Sequence, residues 1–124
     1  NISEVQEIIG DLRGKRAIML DDMIDTGGSL ANGARHLRNM GAVEVHGAAT
    51  HAIFSGTAMQ NLGSDALDTI VVTDTIPVPP ERKLDKMVIL SVAPLLAEAI
   101  QRIHSSQSVS ATIGNRAPSQ AKLF

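Results

Sequence analysis

An apolar run that stops at paired carboxylates and then turns through two glycines constrains this chain more than any other stretch. Ala17-Ile18-Met19-Leu20 leads directly into Asp21-Asp22-Met23-Ile24-Asp25-Thr26-Gly27-Gly28-Ser29. The four apolar residues are too few and too uniform for an amphipathic helix, so they are expected to form a strand buried on both faces. Leu30, Ala34 and Leu37 then recur at helical intervals, with Gly41 as the stop. A strand therefore ends and a helix begins at the carboxylates and glycines, and function is expected at that junction. Gly27 and Gly28 permit backbone angles and close approaches that other residues resist, so successive N–H groups can converge on one anion. The helix N-terminus adds its unpaired amides and partial positive charge.

Acid in front of an anion cradle needs a reason, because Asp21 and Asp22 repel a bare phosphate. A sugar phosphate supplies one: its phosphate meets the glycines and its hydroxyls meet the carboxylates. Ionised carboxylates only accept hydrogen bonds, and the vicinal hydroxyls of a ribose offer two donors, each charge-assisted bond contributing about 1.5–3 kcal/mol. Three other readings compete. Asp21-Asp22-x-x-Asp25 matches an aspartate-rich magnesium motif of prenyl-diphosphate enzymes, but that motif lies on a helix and two glycines would break it. Asp25-Thr26-Gly27 is also the signature of aspartic proteases, with Ile113-Gly114-Asn115-Arg116 loosely like a second motif, yet the helical spacing after the glycines opposes an all-β fold. The plainest alternative is an acidic turn capped into a helix.

Further strands are expected at Val43 to Ala49, Thr69 to Val72 and Met87 to Leu90, each followed by turn signals or a helix. Ser55 is read as the cap of a short helix ending near Leu62, and Ser91 as the cap of a helix from Val92 to His104. Asn1 to Gly14 suits an edge strand and turn feeding a central strand. Strands alternating with helices imply an α/β fold, a parallel sheet with helices on both faces. Ligands collect at the carboxyl ends of such strands, which here carry Asp21-Asp22, Thr50-His51 and Thr73-Asp74-Thr75.

Composition narrows the classes. The chain has 124 residues, 44% of them hydrophobic, and a net charge of −2, which suits one soluble domain with a core of its own. Near-neutral charge gives no reason to expect nucleic acid, and two Phe with no Trp or Tyr argue against a base-stacking surface. No stretch approaches the roughly 20 apolar residues of a membrane helix, and Asn1 opens a polar segment unlike a signal peptide. The absence of Cys excludes disulfides and thiolate chemistry and is compatible with the cytoplasm. Of the four histidines, His51 lies nearest the expected site, as a supporting hydrogen-bond partner rather than a metal ligand. Asp74 is a similar supporting candidate. His36, His46 and His104 read as solvated, as do Arg35 and Arg38. No metal site is expected from these residues.

The string Asp21-Asp22-Met23-Ile24-Asp25-Thr26-Gly27-Gly28-Ser29 closely resembles the ribose-5-phosphate loop of ribose-phosphate pyrophosphokinases, and type I phosphoribosyltransferases have a looser version. The resemblance continues through Thr50-His51-Ala52-Ile53-Phe54-Ser55-Gly56, Val72-Thr73-Asp74-Thr75-Ile76-Pro77, Leu95-Leu96-Ala97-Glu98-Ala99-Ile100 and Ser108-Val109-Ser110. Ser29 stands where the family usually has Thr, and Ala52 where Gly or Pro is common. The resemblance implies a type I phosphoribosyltransferase-like domain over residues 1–111, with 112–124 as a loosely ordered tail. It also implies ribose-phosphate diphosphokinase activity: pyrophosphoryl transfer from ATP to ribose 5-phosphate, giving phosphoribosyl pyrophosphate for nucleotide synthesis. Asp21, Asp22, Asp25, Thr26, Gly27, Gly28 and Ser29 would bind ribose 5-phosphate, with magnesium accompanying ATP. The catalytic basic loop, the principal magnesium ligands and most ATP contacts are implied to lie upstream or on a neighbouring subunit, so this chain reads as a fragment, and the parent as dimers assembled into hexamers in the cytoplasm. Ser108 and Ser110 match a segment near a regulatory phosphate or nucleoside-diphosphate site, although Ala111-Thr112-Ile113-Gly114 intervenes where an aromatic or Leu-Phe pair usually follows. A phosphoribosyltransferase proper, or a non-catalytic regulatory homologue, are the alternatives; residues upstream of Asn1 would separate them.

Overall fold

A computed structural model of the chain describes residues 10–110. Four strands, β1 (Arg16–Ile24), β2 (Glu44–Ala52), β3 (Thr69–Thr73) and β4 (Met87–Leu90), form one sheet in the order β1-β2-β3-β4. All three pairings are parallel, and α1 (Gly28–Asn39) and α2 (Ala58–Leu62) occupy the first two crossovers. A short 3-10 turn at Pro80–Arg82 precedes β4. The α/β reading of the sequence is therefore correct.

Register explains which face becomes the core. Ala17 pairs with Val45, Met19 with Gly47 and Gly47 with Ile70, so these side chains share one face. That face packs on α1 and α2: Val45, Ile70, Val72 and Leu62 are wholly buried, with Ala31, Ala34 and Ala58 bringing the helix backbones close. Each large residue so buried contributes roughly 1.5–3 kcal/mol. Gly47 is required by this packing, since a Cβ there would stand 2.7 Å from Leu30 Cδ2.

Three sequence expectations need correction. β1 does not stop at Leu20 but continues through the acid pair to Ile24, because Met23 and Ile24 pair with His51 and Ala52. Nor is β1 buried on both faces: Ile18 is 64% and Leu20 82% exposed, and among the described residues β1 is an edge strand rather than a central one. Residues 10–14 make a bend and turn, not a strand, tied down by Gly14 N–H to the Gly41 carbonyl at 3.0 Å. Most of the expected N-terminal edge strand, and the tail after Ser110, lie outside the described residues.

His46 and Arg38 are not solvated as their neighbours suggested. His46 is 7% exposed, with Nε2 3.3 Å from Glu44 Oε2. Arg38 reaches across from α1 to Asp68 Oδ2 at 2.6 Å and to the Ala66 carbonyl at 3.3 Å. Asp68 Oδ2 also accepts the Val45 N–H at 2.6 Å, so one carboxylate ties α1, the start of β2 and the approach to β3. Its partial burial alone would raise the Asp68 pKa, but the Val45 amide, the Arg38 hydrogen bond and the charges of Arg38 and His46 outweigh that and hold it below the ordinary carboxylate value.

Of the described residues, 91–110 belong to a separate unit. Its helix α3 (Ala93–His104) begins with Pro94 in the first turn; its N-cap is Val92 rather than Ser91 and carries no side-chain cap, and the Ser91 hydroxyl accepts the Ala93 N–H at 3.2 Å from one residue further out. Glu98 and Arg102 pair one turn apart at 3.0 Å.

Candidate substrate-binding site

The junction of β1 and α1 forms a concavity of about 230 Å³ lined by Asp21 and residues 23–30. The strand delivers the chain to Ile24, which is buried at 3% exposure and fixes where the turn begins. Gly27 then adopts φ 69°, ψ 2°, the left-handed region that favours glycine, and starts α1 without a side-chain cap. A Cβ there would also come within 2.9 Å of Leu62. Gly28 differs: its φ lies outside the left-handed region, and a Cβ would meet only Thr26 Oγ1 at 3.7 Å and Asn61 Nδ2 at 3.8 Å. Space over Gly28 therefore belongs to the concavity and not to the protein.

Electrostatically the site is built from backbone. None of the lining residues is Lys or Arg, and α1 has no acid in its first turn, so an anion here would be held by loop amides and the positive end of the helix. Acid stands only at the strand side. Asp21 lines the concavity, with one carboxylate oxygen accepting the Asp22 N–H at 2.9 Å. Asp22 is exposed and lies outside the lining, so the structure separates two carboxylates that the sequence grouped. Asp25, Thr26, Gly27, Gly28 and Ser29 all line it, as the sequence led one to expect.

His51 and the threonines of the β3 end form a second cluster on the same sheet edge. The Thr50 carbonyl accepts from the hydroxyls of Thr73 at 2.7 Å and Thr75 at 3.0 Å. With its proton so used, the Thr75 oxygen is left to accept from His51 Nδ1, 2.9 Å away. Asp74 is exposed, and its N–H bonds the Leu90 carbonyl at 3.0 Å, which joins the turn to β4. Neither His51 nor Asp74 lines the β1–α1 concavity. In the C-terminal unit, Ser108 and Ser110 hydroxyls lie 2.8 Å apart, and Arg102 Nη1 donates to the Ser108 carbonyl at 3.3 Å.

Sequence reasoning missed Ser55 and Asn61. Ser55 does not cap α2, which begins after Thr57 with no side-chain cap; its hydroxyl donates instead to Asp25 Oδ1. Asn61 Nδ2 donates to the Thr26 carbonyl at 2.8 Å. Their partners lie 30 and 35 residues away, and no local pattern marks them.

A parallel α/β sheet with a glycine turn at a helix N-terminus places this concavity at the carboxyl end of a strand, where α/β proteins commonly bind their ligands. Comparison with known proteins goes further: the family model described as "Phosphoribosyl synthetase-associated domain" matches residues 4–113. The chain belongs to that family. It is 52% identical over 110 residues to the ribose-phosphate pyrophosphokinase of Caldanaerobacter subterraneus subsp. tengcongensis, covering 89% of this chain and 35% of that protein. To the Pasteurella multocida ribose-phosphate pyrophosphokinase it is 54% identical over 112 residues, 90% of this chain and 36% of the relative. The crystal structure of phosphoribosylpyrophosphate synthetase from Mycobacterium smegmatis superposes with a TM-score of 0.75 at 40% identity, over 79% of this chain and 33% of that one. The chain thus spans about a third of the length of the relatives it matches.

Proposed function

We propose that this chain supplies the ribose-5-phosphate site of an ATP-dependent ribose-phosphate diphosphokinase. One observation carries the reading: a glycine turn at the N-terminus of α1 shares its concavity with the carboxylate of Asp21, matching a ligand that is anionic at one end and hydroxylic at the other. The 5-phosphate sits at Asp25 to Ser29, Asp21 serves the ribose hydroxyls inside the concavity, and Asp22, outside its lining, meets the part of the sugar that extends beyond it. In the reaction, the anomeric oxygen of the sugar attacks the β-phosphorus of ATP, the bond from that phosphorus to the α–β bridging oxygen breaks, AMP leaves, and the hydroxyl proton is released. Holding the acceptor oxygen in line is this chain's part in that step, and positioning supplies much of the rate in such transfers.

Among the described residues no three His, Asp or Glu side chains converge on one point, so this stretch offers no complete protein-built cation site. Magnesium belongs with the phosphates of ATP, its usual mode of binding, and its protein ligands belong to the rest of the enzyme. Also among the described residues, no helix is long and apolar enough to cross a membrane. A cytoplasmic enzyme built from several copies, as dimers in a hexamer, is the assembly we propose. Ser108 and Ser110, with hydroxyls already paired on one side, are proposed for regulatory phosphate or ADP. In the parent enzyme Ser108→Ala with Ser110→Ala should blunt the response to those effectors and leave the KM for ribose 5-phosphate unchanged; unaltered regulation would refute the assignment.

The site itself is tested by calorimetry on Asp21→Ala and Asp22→Ala. Each should weaken ribose 5-phosphate binding about 10- to 100-fold through lost charge-assisted bonds and leave inorganic phosphate binding nearly intact. Equal losses for both ligands would refute the division of labour.

A further inference from the structure

Three successive carbonyls of the phosphate loop are held by one segment, residues 53–61. The Ile24 carbonyl accepts the N–H groups of Ile53 at 3.0 Å and Phe54 at 3.1 Å, and the Asp25 carbonyl accepts the Ser55 N–H at 3.0 Å. The Thr26 carbonyl accepts Asn61 Nδ2 at 2.8 Å, and the same nitrogen lies 3.1 Å from Thr57 Oγ1. The Ser55 hydroxyl adds a bond to the Asp25 carboxylate. This segment is itself immobilised: Phe54 is 3% exposed, takes φ 51°, and its carbonyl accepts Arg82 Nη1 at 2.8 Å. Leu62, wholly buried, closes it against Gly27.

A trans peptide is planar, with C=O and N–H pointing opposite ways. Pinning the carbonyls of Ile24, Asp25 and Thr26 toward residues 53–61 therefore turns the N–H groups of Asp25, Thr26 and Gly27 away from that segment. All three of those residues line the concavity. We infer that Asn61 and Ser55 are positioning residues that do not touch the ligand: Asn61 aims the Gly27 amide at the phosphate through the Thr26 carbonyl, and the Ser55 hydroxyl, by holding the Asp25 side chain, fixes the loop that presents the Thr26 amide. The inference rests on the phosphate-site reading above. It has a second consequence, that the Asp25 carboxylate, engaged by Ser55, serves the shape of the loop and is not a ribose ligand like Asp21.

The test uses the 124-residue chain, inorganic phosphate and two variants. Asn61→Leu keeps the shape of the side chain but removes the donor, and Ser55→Ala removes the hydroxyl. Each should bind phosphate about 5-fold more weakly, the worth of one orienting hydrogen bond, with a thermal midpoint within a few degrees of the parent. In two-dimensional amide NMR, phosphate should move the Gly27 N–H resonance strongly in the parent and far less in Asn61→Leu, whereas amides of β2 and β3 should be unaffected in both. If the parent binds phosphate and both variants bind it equally well with the same Gly27 response, the inference is overturned and the site reading survives. Loss of binding with a uniform loss of amide protection across the sheet would also overturn it, since the residues would then be merely structural. Should Asn61→Leu fail to fold, Ser55→Ala alone decides. No phosphate binding by the parent would instead overturn the site reading, and the inference with it.

Discussion

Replacing Gly28 by Ala should move stability and binding in opposite directions. The backbone at Gly28 does not need glycine: its φ lies outside the left-handed region, and an added Cβ would find its nearest neighbours at 3.7 and 3.8 Å, ordinary contact. Gly28 is also the first residue of α1, where Ala restricts the unfolded chain and favours the helix. A gain of about 0.5 kcal/mol follows, less than for a helix interior, which raises the thermal midpoint by roughly 2 °C for a domain of this size. Binding should fall, because the methyl group enters the space the phosphate needs. Phosphate oxygens approach amide nitrogens to about 2.9 Å, whereas a carbon needs about 3.5 Å or more from its neighbours. At least one charge-assisted bond is displaced, so phosphate affinity drops about 10- to 100-fold. Differential scanning calorimetry and isothermal titration of the same sample provide both numbers. A lowered midpoint would show that glycine is needed for the fold, and an unchanged affinity would show that the phosphate does not lie over Gly28; either result refutes the argument.

Two further outcomes follow from geometry described above. The Asp68 pKa is lower folded than unfolded, so its contribution to stability is present above the unfolded value and is lost as pH falls through the folded one. Asp68→Asn should therefore flatten the acid limb of a stability-pH curve below about pH 4, by well under the value of a buried pair because the carboxylate is partly exposed; an unchanged acid limb would remove Asp68 from the account. The 124-residue chain, lacking any Lys or Arg in its ligand concavity to neutralise a triphosphate, should bind ribose 5-phosphate yet form no phosphoribosyl pyrophosphate from it and ATP, as followed by AMP release; measurable turnover would contradict that expectation.

What could be read from the sequence was whatever local periodicity or a single turn encodes. The helical spacing of Leu30, Ala34 and Leu37 after two glycines located α1 and, with it, the β1–α1 concavity. Its limits show at Asp21 and Asp22. Aspartate is a poor strand former, so local propensity puts the acid pair in the loop, yet pairing of Met23 and Ile24 with β2 carries the strand through it. The same alternation that put Val45 inward put His46 outward, and only the fold shows that His46 is covered and set against Glu44. Ser55 reads locally as a helix cap because Ser, Thr and Asp cap helices so often. Its partner, Asp25, lies 30 residues earlier, beyond the reach of any local rule.

The strand order β1-β2-β3-β4 bears on how the site comes into being. Each strand pairs with the next one made, and the loop together with every group that braces it from 53–61 belongs to the first two strands and helices. Synthesis delivers the N-terminal part first, and such neighbouring pairings have low loop-closure cost. The loop and its braces therefore rest on pairings of short sequence separation, whereas the Arg82 bond to the Phe54 carbonyl waits for the chain beyond β3, so the loop is shaped first and locked second.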